Sequence, residues 1–159
     1  VPAFPVPNGV LILFLVAGAV AWILGRTVLG RYTFALGSNE EAVRLSGVDT
    51  DRWKMAIYAL SGGIVGIGGL LIASRLNSAQ PALGLGYELE AIAAVVIGGT
   101  SLAGGRGTIL GTLIGALIMA VLTNGLRVLS VAPEWQTVVT GAIIIVAVYA
   151  DQLRRGRAG

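Results

Sequence analysis

The residue types that carry most enzyme chemistry are missing from this sequence. There is no histidine and no cysteine among the 159 residues. Imidazole acid–base catalysis, thiol chemistry, disulfides and metal sites built on these ligands are therefore excluded. The G-x-S-x-G pattern of serine hydrolases is also absent around Ser101. We expect no enzymatic activity, no metal site and no cofactor, so the polar residues are candidates for binding rather than catalysis.

A few polar residues lie in or beside long apolar stretches, where hydrogen-bonding groups usually face a cavity or a neighbouring helix. They are candidates for lining a polar cavity or pathway: Thr100, Ser101, Asn124 and Glu88. Each also has a structural alternative. Thr100 and Ser101 can bond to backbone carbonyls of their own helix, and Asn124 can bond to another helix. Glu88 can simply stabilise a helix amino terminus, so the residues alone leave both interpretations open.

A second group of polar residues lies in a short acidic segment between apolar stretches. Ser38 and Glu41 have the spacing of an S-x-x-E capping box, and Glu40 and Glu41 suit the positive end of a helix dipole. Gly47 can supply a left-handed cap at the other end. The pattern predicts a helix of about two turns over residues 38–47. Such a helix can dock on a partner protein or lie on the bilayer surface.

The elements that position these residues must be membrane helices. Hydrophobic residues make up 55% of the sequence and charged residues only 12%, about half the share of charge in an average soluble domain. Residues 55–74 and 107–126 are each 20 residues without a charge, enough to cross a ~30 Å hydrocarbon core. Three shorter charge-free stretches cover residues 10–25, 91–105 and 135–150. The prediction is an all-α transmembrane bundle of about five spans, forming a single domain over residues 1–159.

The distribution of basic residues predicts the orientation of these spans. Nine of the eleven basic residues fall inside if the connection after the first span is cytoplasmic. The nine are Arg26, Arg31, Arg44, Arg52, Lys54, Arg106, Arg154, Arg155 and Arg157. We expect a multi-pass membrane protein whose amino end is outside and whose carboxyl end is cytoplasmic. An odd number of spans with an external start predicts that further chain precedes these residues.

Glycines follow a pattern that is typical of tightly packed membrane helices. Gly62 and Gly66 form one G-x-x-x-G ridge on the second span, and Gly107, Gly111 and Gly115 form a double ridge on the fourth. Small residues at this spacing let two helix backbones approach closely in lipid. Both ridges predict helix packing within the bundle. Contact between two subunits is the alternative.

Several stretches of this sequence resemble one family of membrane transporters. Glu41-Ala42-Val43-x-x-x-Gly47 resembles the EAA-x-x-x-G signature of ABC importer permeases, with Val43 in place of the second alanine. The resemblance extends over GRYTFALGSNEEAVRLSGV, GYELEAIAAVVIGGTSLAGGRGT and NGLRVLSV. These stretches look like the ribose, xylose and galactose branch of binding-protein-dependent ABC sugar importers. The match covers residues 26–150 and corresponds to the C-terminal half of such a permease.

The resemblance implies a permease subunit that moves a ribose-like monosaccharide inward by alternating access. Residues 38–47 would be the cytoplasmic coupling helix, with Glu40, Glu41, Ala42, Arg44 and Gly47 facing a separate ABC ATPase subunit. A sugar-binding protein outside, a second permease copy and membrane lipid are the other expected partners. No G-x-x-x-x-G-K-[ST] phosphate loop is present, so ATP chemistry belongs elsewhere. We expect no nucleic-acid partner, since no basic patch is interleaved with exposed aromatics.

Two alternatives to monosaccharide import remain open at this point. The solute can be another small hydroxylated molecule, such as a signalling furanone, or a branched-chain amino acid carried by a related scaffold. The chain can also be a truncated structural subunit of the membrane, without transport of its own.

Overall fold

The computed structural model describes residues 7–76 and 84–156. Within these ranges the chain forms α-helices and no strand, so the predicted all-α membrane class is confirmed. The chain divides into two compact units, Val1–Pro81 and Ala82–Gly159, and each is described by itself. The prediction of a single membrane domain stays a prediction.

Over residues 7–76 the first unit contains four helices, and over residues 84–156 the second contains three. The helices are α1 (Asn8–Arg26), α2 (Val28–Ser38), α3 (Glu40–Leu45), α4 (Thr50–Leu76), α5 (Tyr87–Ile97), α6 (Ile109–Val128) and α7 (Pro133–Gly156). Three of them are long and apolar enough to cross a membrane: α1, α4 and α6. The apolar part of α7, Pro133–Tyr149, is shorter. Each of these four helices contains most or all of one predicted span.

The first unit places two short helices between α1 and α4. The sequence predicted only one helix in this connection, and α2 is an addition to that prediction. The Thr27 side chain separates α1 from α2, because its hydroxyl donates to Ile23 O at 2.6 Å and accepts from Gly30 N at 3.4 Å. Gly30 is buried at this turn, where a larger side chain would collide with the backbone of Leu24. The connection is therefore a compact helical segment.

The second unit departs from the predicted third span, residues 91–105. The helix there begins earlier, at Tyr87, and ends at Ile97, so α5 has only 11 residues and is roughly 16 Å long. Residues 98–108 are not helical. Gly99, Gly104 and Gly105 have positive φ values of 82°, 85° and 74°, which L side chains rarely adopt. These glycines end the helix inside an apolar stretch that continues beyond it.

Close contact between α5 and α6 holds the second unit together. Side chains added at Gly111 and Gly115 would collide with the backbone carbonyls of Gly98 and Ala94, respectively. The two helices therefore run antiparallel with almost no space between their backbones. A small core of Ala93, Ala94 and Met119 lies beside this contact, and Ile143 of α7 packs against it.

The other predicted ridge glycines lie in different surroundings. Gly107 precedes α6 instead of lying on it, because α6 begins at Ile109 and is capped by Thr108, whose hydroxyl accepts from Gly111 N at 3.1 Å. Gly107 instead packs against the Thr100 side chain. Within the described residues, Gly62 and Gly66 have nothing within 4 Å of an added methyl group. Their role in helix packing stays a prediction.

The α5–α6 contact gives a prediction with an internal control. Gly115→Ala should lower the midpoint of thermal unfolding in detergent, because overpacking of this kind destabilises by about 1–3 kcal/mol. Gly125→Ala on the same helix should leave the midpoint unchanged or raise it, since an added methyl group there meets nothing within 4 Å and alanine favours helix. Equal effects of the two substitutions would contradict the close contact.

Candidate functional site

The first candidate site is the short helix α3 and the residues that fix its ends. Its amino-terminal cap is Asn39, whose Oδ1 accepts from Ala42 N at 3.0 Å. The predicted cap at Ser38 is wrong, because Ser38 is the last residue of α2. Asn39 interrupts the helical path with an extended backbone, φ −157° and ψ 98°, and so becomes the cap one residue later. Gly47 follows the helix with φ +85°, as predicted.

Two contacts hold the helical connection against the start of α4. Lys54 donates a hydrogen bond to the carboxylate of Glu40 and forms an ion pair with it. Tyr32 of α2 packs against Trp53, with ring centroids 4.5 Å apart and planes tilted by 39°. Sequence reasoning gave neither Lys54 nor Trp53 a positioning role. The available signal was their position in the sequence, immediately before the apolar stretch 55–74 and shortly after the acidic segment that contains Glu40 and Glu41.

The surface of α3 combines charge with one large apolar side chain. Glu41 and Arg44 approach to 4.0 Å along the helix, and both side chains are mostly exposed. Ala42 is exposed, and Leu45 is 81% exposed. Val43, which replaces the second alanine of the EAA pattern, is half-buried. The substitution therefore lies away from the most exposed part of the helix.

The candidate pathway residues Thr100 and Ser101 lie in the non-helical segment after α5. Thr100 N donates to Val95 O at 3.1 Å, and Ser101 N donates to Arg106 O at 3.0 Å. The Ser101 side chain is buried, and its Oγ has no hydrogen-bond partner in the described part of the chain. Such a group is unusual, because most buried hydroxyls are paired. The alternative in which the Ser101 hydroxyl bonds to a carbonyl of its own helix is therefore not seen in the described residues, and the pathway role of Ser101 stays a prediction.

Glu88 and Asn124 are both exposed, on α5 and α6 respectively. Glu88 Oε2 accepts from Gly86 N at 3.1 Å, as expected for a carboxylate that stabilises the start of a helix. Their pathway role also stays a prediction. The pocket described next, within residues 84–156, is lined by none of the four candidate residues.

A polar pocket lies close to these two residues but is lined by their neighbours. It is formed within the second unit by the start of α5, the end of α6 and the start of α7. Glu90, Thr123, Gln136 and Thr140 line it, together with Tyr87, Arg127, Thr137 and several apolar residues. Sequence reasoning missed the α7 residues. The available signal was the four-residue spacing of Gln136 and Thr140, which places two polar residues on one face of an apolar helix.

Comparison with known proteins identifies several relatives of this sequence. The family profile described as "Branched-chain amino acid transport system / permease component" matches residues 2–148. The ribose import permease protein RbsC of Escherichia coli is 49% identical over 150 residues, 94% of this chain and 47% of the relative. RbsC of Bacillus subtilis is 49% identical over 149 residues, 93% of this chain and 45% of the relative.

A permease named for xylose transport is also among the relatives. The xylose transport system permease protein XylH of Escherichia coli is 46% identical over 152 residues, 96% of this chain and 39% of the relative. The chain therefore spans less than half the length of each of these three relatives. No solved structure matches the chain significantly.

The cap of α3 can be tested by substituting two adjacent residues. Asn39→Ala should accelerate hydrogen exchange at the Ala42 amide about fivefold, since loss of an amino-terminal cap destabilises a helix by about 1 kcal/mol. Ser38→Ala should change that exchange rate less than about twofold, which amide-resolved exchange can distinguish. If only Ser38→Ala accelerated the exchange, the cap would be Ser38, as the S-x-x-E capping box predicts, and not Asn39.

Proposed function

The chain belongs to the family of permease components of branched-chain amino acid transport systems, and from this premise we propose that it forms part of the permease subunit of an ABC sugar importer. Apolar helices of spanning length and this family together make it a multi-pass membrane protein. The observation that carries the proposal is 46–49% identity, over at least 93% of this chain, to permeases named for ribose and xylose. The proposed cargo is therefore a monosaccharide of the ribose type, carried inward.

The proposed energy source is a separate ATPase subunit that docks on α3. This helix offers an exposed Leu45 beside the exposed Glu41 and Arg44. Apolar side chains surrounded by charge suit a groove on a partner protein. The cap at Asn39 and the Lys54–Glu40 ion pair hold the helix in place, so little conformational entropy is lost on docking. ATP-driven movement of the partner would then pull on α3.

Two further partners complete the proposal. A sugar-binding protein outside the cell delivers the monosaccharide, and a second permease copy forms the other half of the pathway. The proposed orientation keeps the amino end outside and places the connection between α1 and α4, which contains α2 and α3, in the cytoplasm. It is supported by the bias of nine basic residues to one side. Arg26, Arg31, Arg44 and Arg52 all lie in or beside that connection.

The cargo class has one competitor with an observation in its favour. The family profile carries the description of branched-chain amino acid transport, so leucine is the alternative cargo to test. The ribose and xylose permeases match this chain over almost its whole length, which favours the sugar. The furanone and the purely structural subunit have no such support.

Transport can be tested with the full-length permease, reconstituted with the ATPase and binding protein encoded beside it. Proteoliposomes should accumulate labelled ribose or xylose in the presence of ATP. They should not accumulate it with a non-hydrolysable nucleotide, because transport requires the partner's ATP hydrolysis. ATP-dependent uptake of leucine without uptake of either sugar would assign the amino acid instead.

The docking helix has its own test by site-directed crosslinking. These 159 residues contain no cysteine, so once any cysteine elsewhere in the complex is replaced, single cysteines can be introduced here without background. Glu41→Cys and Arg44→Cys in the full-length permease should crosslink to the ATPase in the assembled complex. Leu129→Cys is a matched control, because Leu129 is 75% exposed at the end of α6 that the proposed topology places outside. Crosslinking from Leu129→Cys alone would reverse the topology.

A further inference from the structure

The polar pocket of the second unit has no role in the proposed coupling mechanism. It has a volume of about 180 Å³ and lies between the start of α5, the end of α6 and the start of α7. Pockets for drug-sized ligands measure roughly 300–1,000 Å³. This pocket is smaller and has room for about six waters. Its size suits a compact small molecule.

Hydrogen bonds inside the chain make this pocket rich in acceptors. The hydroxyl groups of Thr123 and Thr140 donate to Met119 O and Gln136 O, each at 2.9 Å. Gln136 Nε2 donates to Val131 O at 2.8 Å. The hydroxyl hydrogens and one amide hydrogen are thus used within the chain, while the threonine Oγ1 lone pairs and Gln136 Oε1 keep acceptor capacity. A ligand that supplies many O–H donors complements this lining.

The charges of the lining favour a neutral ligand. Glu90 and Arg127 contribute one charge of each sign, and among the described ion pairs none joins them. Glu90 is half-buried and adds a strong acceptor, and Arg127 adds donors at the exposed edge. An anionic headgroup would gain from Arg127 but be repelled by Glu90. Tyr87, which is 46% exposed, adds an aromatic ring to the lining.

We propose that this pocket, lined by Glu90, Thr123, Gln136 and Thr140, is a subsite that holds a single monosaccharide by accepting hydrogen bonds from its hydroxyl groups. The inference rests on the proposed function, because import supplies the sugar. It also places the subsite on the outer side, where the proposed topology puts the start of α5. The subsite belongs to one permease copy and takes all its lining from the second unit.

Protection from chemical labelling tests occupancy directly. Thr137 lines the pocket and is exposed, so Thr137→Cys in a permease from which any other cysteine has been removed should react with a small maleimide. Ribose or xylose at millimolar concentration should slow that reaction at least threefold, because the bound sugar covers the thiol. The same sugar should leave labelling of Leu129→Cys unchanged, since Leu129 does not line the pocket.

Transport kinetics test whether the acceptors matter. Thr123→Val should raise the KM for sugar uptake by the full complex about fivefold or more, with kcat changed less than twofold. Thr112→Val is the matched control on the same helix. Thr112 makes the same bond to the carbonyl four residues earlier, at 3.1 Å, but does not line the pocket. Its KM should stay at the wild-type value.

The outcomes separate this inference from the proposed function. Sugar protection of Thr137→Cys with a raised KM in Thr123→Val supports the subsite. Normal sugar uptake by the wild type, without protection and without a difference between the two threonine variants, overturns the subsite and leaves the importer proposal intact. Protection by leucine alone, with no uptake of sugar, overturns both and makes the Glu90 and Arg127 lining a site for a zwitterion.

Discussion

The close backbone contact between α5 and α6 is the interaction on which the second unit depends. In a bilayer, a backbone can leave the helical path only where the protein itself satisfies and covers its polar groups. Residues 98–108 leave that path, and their backbone bonds are local: Gly99 N donates to Val96 O at 2.9 Å, and Gly104 N donates to Ser101 O at 3.1 Å. Because residues 98, 111 and 115 are all glycine, the backbone of α6 can approach the backbone at the end of α5 directly. The helix can therefore be interrupted after α5 because the glycine contact brings α6 against this part of the backbone.

In the first unit the constraint is the short length of α3, which has only six residues. An isolated helix of that length is unstable in water. Its order must come from contacts outside its own hydrogen-bond ladder, and three of them are present. The Asn39 cap satisfies an amide at its start, Lys54 pairs with Glu40, and the Tyr32–Trp53 contact holds α2 against α4. With the backbone fixed in this way, Leu45 remains exposed and available to a partner.

The sequence predicted the long helices well, since a charge-free apolar stretch of about 20 residues has few alternatives to a membrane helix. It failed at the third span because hydropathy measures the length of an apolar stretch and not the continuity of a helix. Gly98, Gly99, Gly104 and Gly105 marked the break but were read as part of an apolar span. The cap of α3 was displaced by one residue, because Ser38 and Asn39 are both good caps and only the length of α2 decides between them.

The pocket was harder to predict, because it joins residues that are distant in sequence and unremarkable one at a time. The hydrogen bonding of its lining also suits a step on a transport pathway better than a site that binds its ligand tightly. The hydrogens of Thr123, Thr140 and Gln136 Nε2 already have partners in the chain, so without a ligand these donors remain satisfied. A sugar hydroxyl that binds there exchanges water for an acceptor, which contributes only about 0.5–1.5 kcal/mol for each hydrogen bond. Conduction requires binding that favours entry but still permits release, and the proposed subsite, with its acceptor-rich lining, would meet that requirement.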